Sequence, residues 1–197
     1  MGKQMIISVG REFGSGGHEI ASRLAEHYGL PLLDHNLLDE IAMEKGLDVE
    51  KLHKMDEKDK NLFASRRVKG LSSSPEENVY LMQFDHLQKL ASQGESFVVV
   101  GRCSESILKD YSGLISLFIL GDKEQKVARV MEKYHLSQVA AERFATEKDY
   151  RRRKYHNSYC EGKWGDSRNY ELSINSSKLG MEGTVAVLIA YIDKRMQ

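Results

Sequence analysis

The sequence predicts a three-layer α/β fold, a parallel β-sheet with helices on both faces. Three observations carry this reading. Apolar runs alternate with amphipathic helical stretches along the whole chain. Two of the runs, residues 96–100 (SFVVV) and Leu114–Leu120 (LISLFIL), are uninterrupted, as in strands covered on both sides. Residues 5–25, MIISVGREFGSGGHEIASRLA, set a short apolar run before a glycine-dense loop and an amphipathic helix after it.

Residues 4–9 read as a buried strand, and the next helix places Ile20, Ala21, Leu24, Ala25 and Tyr28 on one face, with Gly29 as its stop. Pro31-Leu32-Leu33 makes a short second strand ending at Asp34. Residues 36–70, rich in Lys, Asp and Glu, read as helical pieces of an inserted polar lobe. Ser74-Pro75-Glu76-Glu77 combines a capping serine, proline at the first helical position and glutamate three residues after the cap, so a helix begins there. Its apolar stripe is Tyr80, Phe84, Leu87 and Ala91. The 96–100 strand ends at Gly101-Arg102, and Leu114–Leu120 precedes a helix opening at Asp122. A helical stretch over 137–159 turns basic at Arg151-Arg152-Arg153-Lys154. A polar loop, 161–169, then surrounds the only tryptophan, Trp164, and is a candidate flap. Residues 170–174 form a last strand, and Val185, Leu188, Ile189 and Ile192 face the core from a closing helix.

With 197 residues, 41% of them hydrophobic, the chain suits a single domain. Its 29 basic and 29 acidic residues cancel. That balance argues against nonspecific nucleic-acid binding, which rests on excess cationic charge, though a local basic site stays compatible with it. Two cysteines are too few for a disulfide framework, and neither a signal-peptide core nor a long apolar span is present. A cytoplasmic location without membrane association is expected. A homo-oligomer is compatible with the sequence, which offers no long self-complementary stripe to demand one.

The loop contains Gly10, Gly14, Ser15, Gly16, Gly17 and His18, whose backbone amides can converge on an anion at a helix N-terminus. The phosphate-loop pattern GxxxxGK[ST] wants lysine and then a hydroxyl where this chain has Gly17 and His18. Phosphoryl transfer is mostly positioning and charge stabilisation, so cationic charge must come from elsewhere. Arg11 is one candidate, unless it pairs with Glu12 at the surface. Asp34 stands at a strand end, where open α/β sheets place ligands, and can also cap the helix near Asn36. Arg102 follows a strand end, and its fork suits a phosphate. Cys103 reads as a small packed residue with no base beside it. Helical spacing puts Asp149, Arg152, Tyr155 and Tyr159 on one face, making Arg152 the phosphate-facing member of the basic run, while Arg151 pairs with Glu147. Trp164 is either a lid residue or a hydrophobic plug. His53, His86, His135 and His156 are scattered without ligand spacing, so no metal-ligand set is expected.

Taken together, GREFGSGGHEIA, LPLLDHNLL, VVVGRC and DYRRRKYHNSYCEGKWGDSRNYELSINSSKLG resemble the cytidylate kinase-like family of P-loop proteins, in order and spacing, over nearly the whole chain. The resemblance implies a P-loop NTPase-type fold with a five-stranded parallel sheet, a helical monophosphate-binding insert over about 35–95 and an arginine-bearing lid over about 137–169. It implies a nucleoside monophosphate kinase-like transferase that uses ATP and Mg²⁺ and takes CMP, dCMP or a related small acceptor. Gly10, Gly14, Ser15, Gly16, Gly17 and His18 would then line the ATP phosphates, Asp34 and Arg102 would face the acceptor, and Arg11 and Arg152 would stabilise the transferring group. Cytidylate kinases proper carry the loop lysine and an aspartate after the glycine-arginine pair, where this chain has Gly17 and Cys103. A nucleotide-binding module without turnover is the alternative.

Overall fold

A computed structural model describes residues 3–34, 36–56, 67–68, 71–72 and 75–197. In chain order the elements are β1 (Ile6–Arg11), α1 (Gly17–Tyr28), β2 (Leu32–Leu33), α2 (Leu37–Lys45), α3 (Val49–Asp56), β3 (Arg67–Val68), β4 (Leu71–Ser72) and α4 (Pro75–Ser92). These are followed by β5 (Phe97–Val100), α5 (Ser104–Ile107), β6 (Leu114–Leu120), α6 (Lys123–Tyr134), α7 (Gln138–Tyr159), β7 (Leu172–Asn175) and α8 (Ser176–Met196). The five-stranded sheet has the order β2-β5-β1-β6-β7, and every pairing in it is parallel. Central β1 pairs on both sides, Ile6 opposite Phe97 on one and Leu114 on the other.

Side chains alternate across the sheet and so build two cores. Ile7, Val9, Val98, Ile115 and Leu117 meet α1 and α8 on one face through residues such as Ile20, Leu24, Leu188 and Ile192. Ile6, Phe97, Val99 and Leu114 meet the helices α2 to α5 on the other through Leu38, Ile41, Leu87 and Leu108. A buried Ser8 shares a 2.6 Å hydroxyl–hydroxyl bond with Ser104, so the polar position in β1 is satisfied by the start of α5. The chain leaving β1 therefore goes to one face and the chain leaving β5 to the other. Their adjacent carboxyl ends open a crevice, the place where such sheets bind ligands.

The strand over 114–120, the helix capped at Ser137 and the stop at Gly29, in the left-handed region, are where the sequence puts them. Four details differ. β1 continues to Arg11, because β6 is long enough to pair with it up to Ile119, so Gly10 and Arg11 belong to the strand. Within 36–70, Arg67–Val68 pairs antiparallel with Leu71–Ser72 where helix was expected, and β-branched Val68 favours a strand. The helix expected near Ser74 exists from Pro75, but the serine cap lies outside the described residues. On α4 the buried face takes in Gln83 and His86, while Phe84 is only half-buried against Tyr159. Among the described residues no helix is long and apolar enough to cross a membrane.

Candidate active site

Between β1 and α1 the chain turns through Gly14 and Gly16, both left-handed with φ of 81° and 80°. Gly16 caps α1 with no side chain of its own, and the first amide of the helix, Gly17 N–H, donates to Ser15 Oγ at 3.3 Å, which leaves the rest of the first turn to an anion. Ser15 is buried and turned inward: its hydroxyl donates to the Glu12 carbonyl at 2.8 Å, and its own carbonyl accepts from Ser176 at 2.6 Å. It holds the loop's shape and does not present its hydroxyl outward. Gly10 has a packing reason, since a Cβ there would meet the Phe118 ring at 2.8 Å and Tyr170 at 3.1 Å.

Gly17 occupies the lysine position of the phosphate-loop pattern, and its missing side chain is accounted for by a neighbour. A Cβ at 17 would stand 2.5 Å from Arg11 Cβ and 3.0 Å from Arg11 Cγ. Arg11 thus fills the room that a side chain at 17 would need. Its guanidinium runs on into the space left by the absent Cβ of Gly101, and it makes no pair with Glu12. Glu12 instead accepts from Lys126 at 2.8 Å and from the Gly121 amide at 3.1 Å.

Arg11, Arg102 and Arg152 converge on the crevice, lining a cavity of about 50 Å³ that Gly101 and Trp164 also border. Arg152 Nη1 donates to the Arg11 carbonyl at 3.3 Å, lies 3.6 Å from Asp149 and stacks over Phe13 at 5.2 Å. Burial, then the nearby Arg152 and Arg102, hold the Arg11 pKa well below the ordinary guanidinium value, with Asp149 and Asp34 acting the other way. Burial lowers Arg152 as well. Depressed guanidinium pKa values mark a cluster short of negative charge, which an anionic ligand would supply. The backbone beneath is strained: residues 101, 102 and 103 are consecutive left-handed residues with φ of 75°, 59° and 56°. For the two non-glycines this costs about 1–2 kcal/mol each.

Asp34 follows β2 at the strand end, but Asn36, two residues on, is the N-cap of α2, and among the described residues no side chain caps that helix. Its Oδ2 lies 2.6 Å from His18 Nε2, and its Oδ1 accepts from the Asn36 amide at 3.4 Å. His18 is exposed and engaged by this carboxylate. Asp149 takes the Phe13 amide at 2.6 Å, and burial raises its pKa against that bond and the neighbouring Arg152 and Lys126. Arg151 pairs with Glu147 at 2.6 Å, as the helical spacing requires. Two cations that sequence reasoning missed also brace the loop. Lys126 holds Glu12, and Arg129 Nη1 donates to the Gly14 carbonyl at 2.5 Å. Their i, i+3 spacing on a helix following a strand end was the available signal. Trp164 packs edge-on against Phe118 under the Arg153 guanidinium.

Behind the arginines the structure corrects two expectations. His156 is not isolated: its Nε2 lies 2.6 Å from Glu105 Oε1, both side chains are buried, and one ligand-type atom each from Glu105, His156 and Cys160 lies within 4.8 Å of the others. Cys103 does have a base nearby: it lines the same cavity as His156 and Glu105, and its thiol interacts with that of Cys160. The i, i+4 spacing of His156 and Cys160 was legible, whereas Glu105 arrives from a different segment. Burial opposes the imidazolium, but bonds to Cys160 and Glu105 outweigh it and raise His156 to about 10. The bond from Cys103, reinforced by His156, lowers Cys160 to about 6 against burial, and Cys103 itself is raised. Arg11, Arg102, Arg152, Tyr155 and Tyr170 are titratable groups that line the cavity with this cluster.

Folding therefore moves one proton from thiol to imidazole. Between about pH 6.5 and 9 the folded and unfolded chains bind equal numbers of protons at these two groups, and their contribution is flat. Below that window the folded thiolate must be protonated, so the Cys160 contribution is lost as pH falls through about 6. Above it the folded imidazolium must deprotonate, so the His156 contribution is lost as pH rises through about 10. Melting temperatures recorded from pH 5 to 11 should show this plateau with two shoulders, and His156→Gln should weaken the alkaline one, to which the raised Cys103 thiol also contributes.

Comparison with known proteins places this geometry. Residues 6–178 match the pattern of the cytidylate kinase-like family. The cytidylate kinase of Pyrococcus horikoshii is 24% identical over 191 residues, covering 96% of this chain and 89% of its own. That of Methanopyrus kandleri is 26% identical over 196 residues, covering 98% and 95%. A solved protein of Eubacterium ventriosum is 40% identical with a TM-score of 0.77, covering 96% of this chain and 99% of its own. The shikimate kinase of Bacteroides thetaiotaomicron shares the fold at a TM-score of 0.56 and 11% identity, over 96% and 98% of the two chains. With the parallel five-stranded sheet and the glycine loop at its centre, the fold is that of the P-loop kinases, and the chain belongs to the cytidylate kinase-like family.

Proposed function

We propose that the protein is a phosphotransferase moving the γ-phosphoryl group of ATP to CMP, dCMP or a related small acceptor. The observation that carries this reading is the convergence of Arg11, Arg102 and Arg152 on the crevice that Gly10, near the end of β1 before the glycine loop, also lines. Phosphoryl transfer asks a protein for positioning and for cationic charge around the moving group, and these are what the crevice offers. Gly14, Gly16, Gly17 and the first turn of α1 suit the ATP phosphates. Arg11 takes the part of the missing loop lysine, and Arg152 reaches the transferring group from α7. Arg102 binds the acceptor phosphate, and Asp34 orients the acceptor. Residues 35–95 would form the acceptor lobe and 137–169 the lid, whose closure excludes water and suppresses hydrolysis.

The donor set bears on the metal. Ser15 is turned inward and position 18 is an imidazole tied to Asp34, so no hydroxyl is offered to a hard cation. This suits Mg²⁺ held by phosphate oxygens and water, as that ion tolerates. When bound it supplies charge neutralisation between phosphates; the arginines supply the rest.

The test is transfer from Mg-ATP across a panel of ribo- and deoxyribonucleoside monophosphates, extended to small hydroxylated acids and sugars. Transfer to one nucleotide supports the reading. Transfer only to a non-nucleotide would retain the phosphotransferase and replace its acceptor. ATP binding without transfer to any acceptor would leave a nucleotide-binding module in its place.

A further inference from the structure

Cys103, Glu105 and His156 line the same cavity as the three arginines, and with Cys160 they form a cluster to which the phosphoryl chemistry above gives no role. We propose that Cys160 is a site of reversible oxidation by hydroperoxides, with Cys103 as its resolving thiol, giving a disulfide between the end of α7 and the loop after β5. Cys160 is the C-cap of α7, half-buried and reachable, and its amide is fixed to the His156 carbonyl at 2.9 Å. Cys103 is 2% exposed, lines the same cavity as Glu105 and His156, whose ligand atoms lie within 4.8 Å of that of Cys160, and its thiol interacts with Cys160. The accessible sulfur meets the oxidant first, and the buried one is already beside it.

His156 and Glu105 complete the arrangement of an activated thiol: a base hydrogen-bonded to the nucleophile and a carboxylate fixing the base, here at 2.6 Å. Thiolate character at neutral pH follows from the same contacts, since Cys160 is lowered to about 6. The same atoms could be imagined around a metal ion, but the observations favour the thiol. Glu105 and His156 stand 2.6 Å apart, whereas two such ligands on a tetrahedral ion would be roughly 3.4 Å apart. The neighbouring Arg11 and Arg102 also favour thiolate over an added dication.

The chemistry balances in two steps. The Cys160 thiolate attacks one oxygen of a hydroperoxide, forming the S–O bond of a sulfenic acid as the O–O bond breaks. The leaving alkoxide or hydroxide departs as alcohol or water with a proton from the His156 imidazolium. The Cys103 sulfur then attacks the Cys160 sulfur, an S–S bond forms, the S–O bond breaks, and water leaves with the Cys103 thiol proton. Two thiols lose two electrons and the peroxide gains them; a dithiol reductant reverses the change.

The experiment treats the full reduced chain with equimolar hydrogen peroxide, blocks residual thiols with N-ethylmaleimide and maps the peptides. The expected result is loss of both thiols and of about 2 Da within a monomer, one linked Cys103–Cys160 peptide and full reversal by dithiothreitol. Cys103→Ser should stop at a sulfenic acid on Cys160 that dimedone captures. His156→Gln should slow oxidation at pH 7 about tenfold and move the alkylation midpoint of Cys160 up from about 6 toward the ordinary thiol range. Retention of both free thiols in the wild-type chain would overturn the proposal, as would bridges only between molecules. Stoichiometric zinc that protects both thiols in the purified chain would also overturn it and make the cluster a metal site. None of these readouts depends on phosphoryl transfer.

Discussion

Arg152→Ala is expected to lower the rate of phosphoryl transfer by about a hundred- to a thousandfold, the loss that follows removal of one charged donor from a transferring group. The side chain is held by three independent contacts, to the Arg11 carbonyl, to Asp149 and over the Phe13 ring, so its guanidinium is positioned before any ligand arrives. Preorganisation of that kind acts on the transition state more than on substrate affinity. The decrease should therefore appear in kcat with KM for ATP little changed. Arg152→Lys keeps the charge and loses the planar fork, and should fall between the two. Arg151→Ala is the control: Arg151 is an exposed partner of Glu147 one position away, and its loss should leave both rate and melting temperature almost untouched. Equal losses for Arg151→Ala and Arg152→Ala would mean that the basic run acts as a diffuse field. A rise in KM alone would mean that Arg152 only binds.

What the sequence showed and what it hid divide along sequence distance. β6, with its seven apolar residues, needs no partner to be recognised, and neither does a helix that begins at a serine and ends in a basic stretch. The choice of Arg152 over its neighbours was also a local matter, settled by 100° per residue on a helix. The β3–β4 pairing was hidden because two-residue strands leave no period to read. The roles of Lys126 and Arg129 depend on α6 lying across a loop more than 100 residues earlier, which neither local pattern announces. Glu105 and His156 are 51 residues apart, and their pairing is a product of the sheet order. Glycine at position 10 suggests a turn, whereas here it lies near the end of a strand and makes room for an aromatic ring.

The absent lysine and the present Arg11 are best understood together, and their exchange gives the second large effect. In the phosphate-loop pattern a glycine stands six residues before the lysine; this chain has arginine in the first position and glycine in the second. The structure gives the steric reason for that reversal, since a Cβ at 17 would be 2.5 Å from Arg11 Cβ. Two bulky side chains do not fit at 11 and 17, and either order leaves one cation beside the loop. Arg11→Gly should then lower transfer by about a hundredfold or more by removing that cation. Gly17→Lys should lower it too, and cost about 1–3 kcal/mol of stability, because the new stem collides with Arg11. In the double variant the collision is gone and a lysine stands in the usual place. Transfer should recover at least about tenfold over Arg11→Gly, a coupling of about 1.4 kcal/mol or more between the two sites. Rates and melting temperatures of the four proteins close the cycle. If the double variant shows the product of the two single losses, the positions are independent, Arg11 is not the lysine's substitute, and the compensating charge must be sought at Lys126 or Arg129.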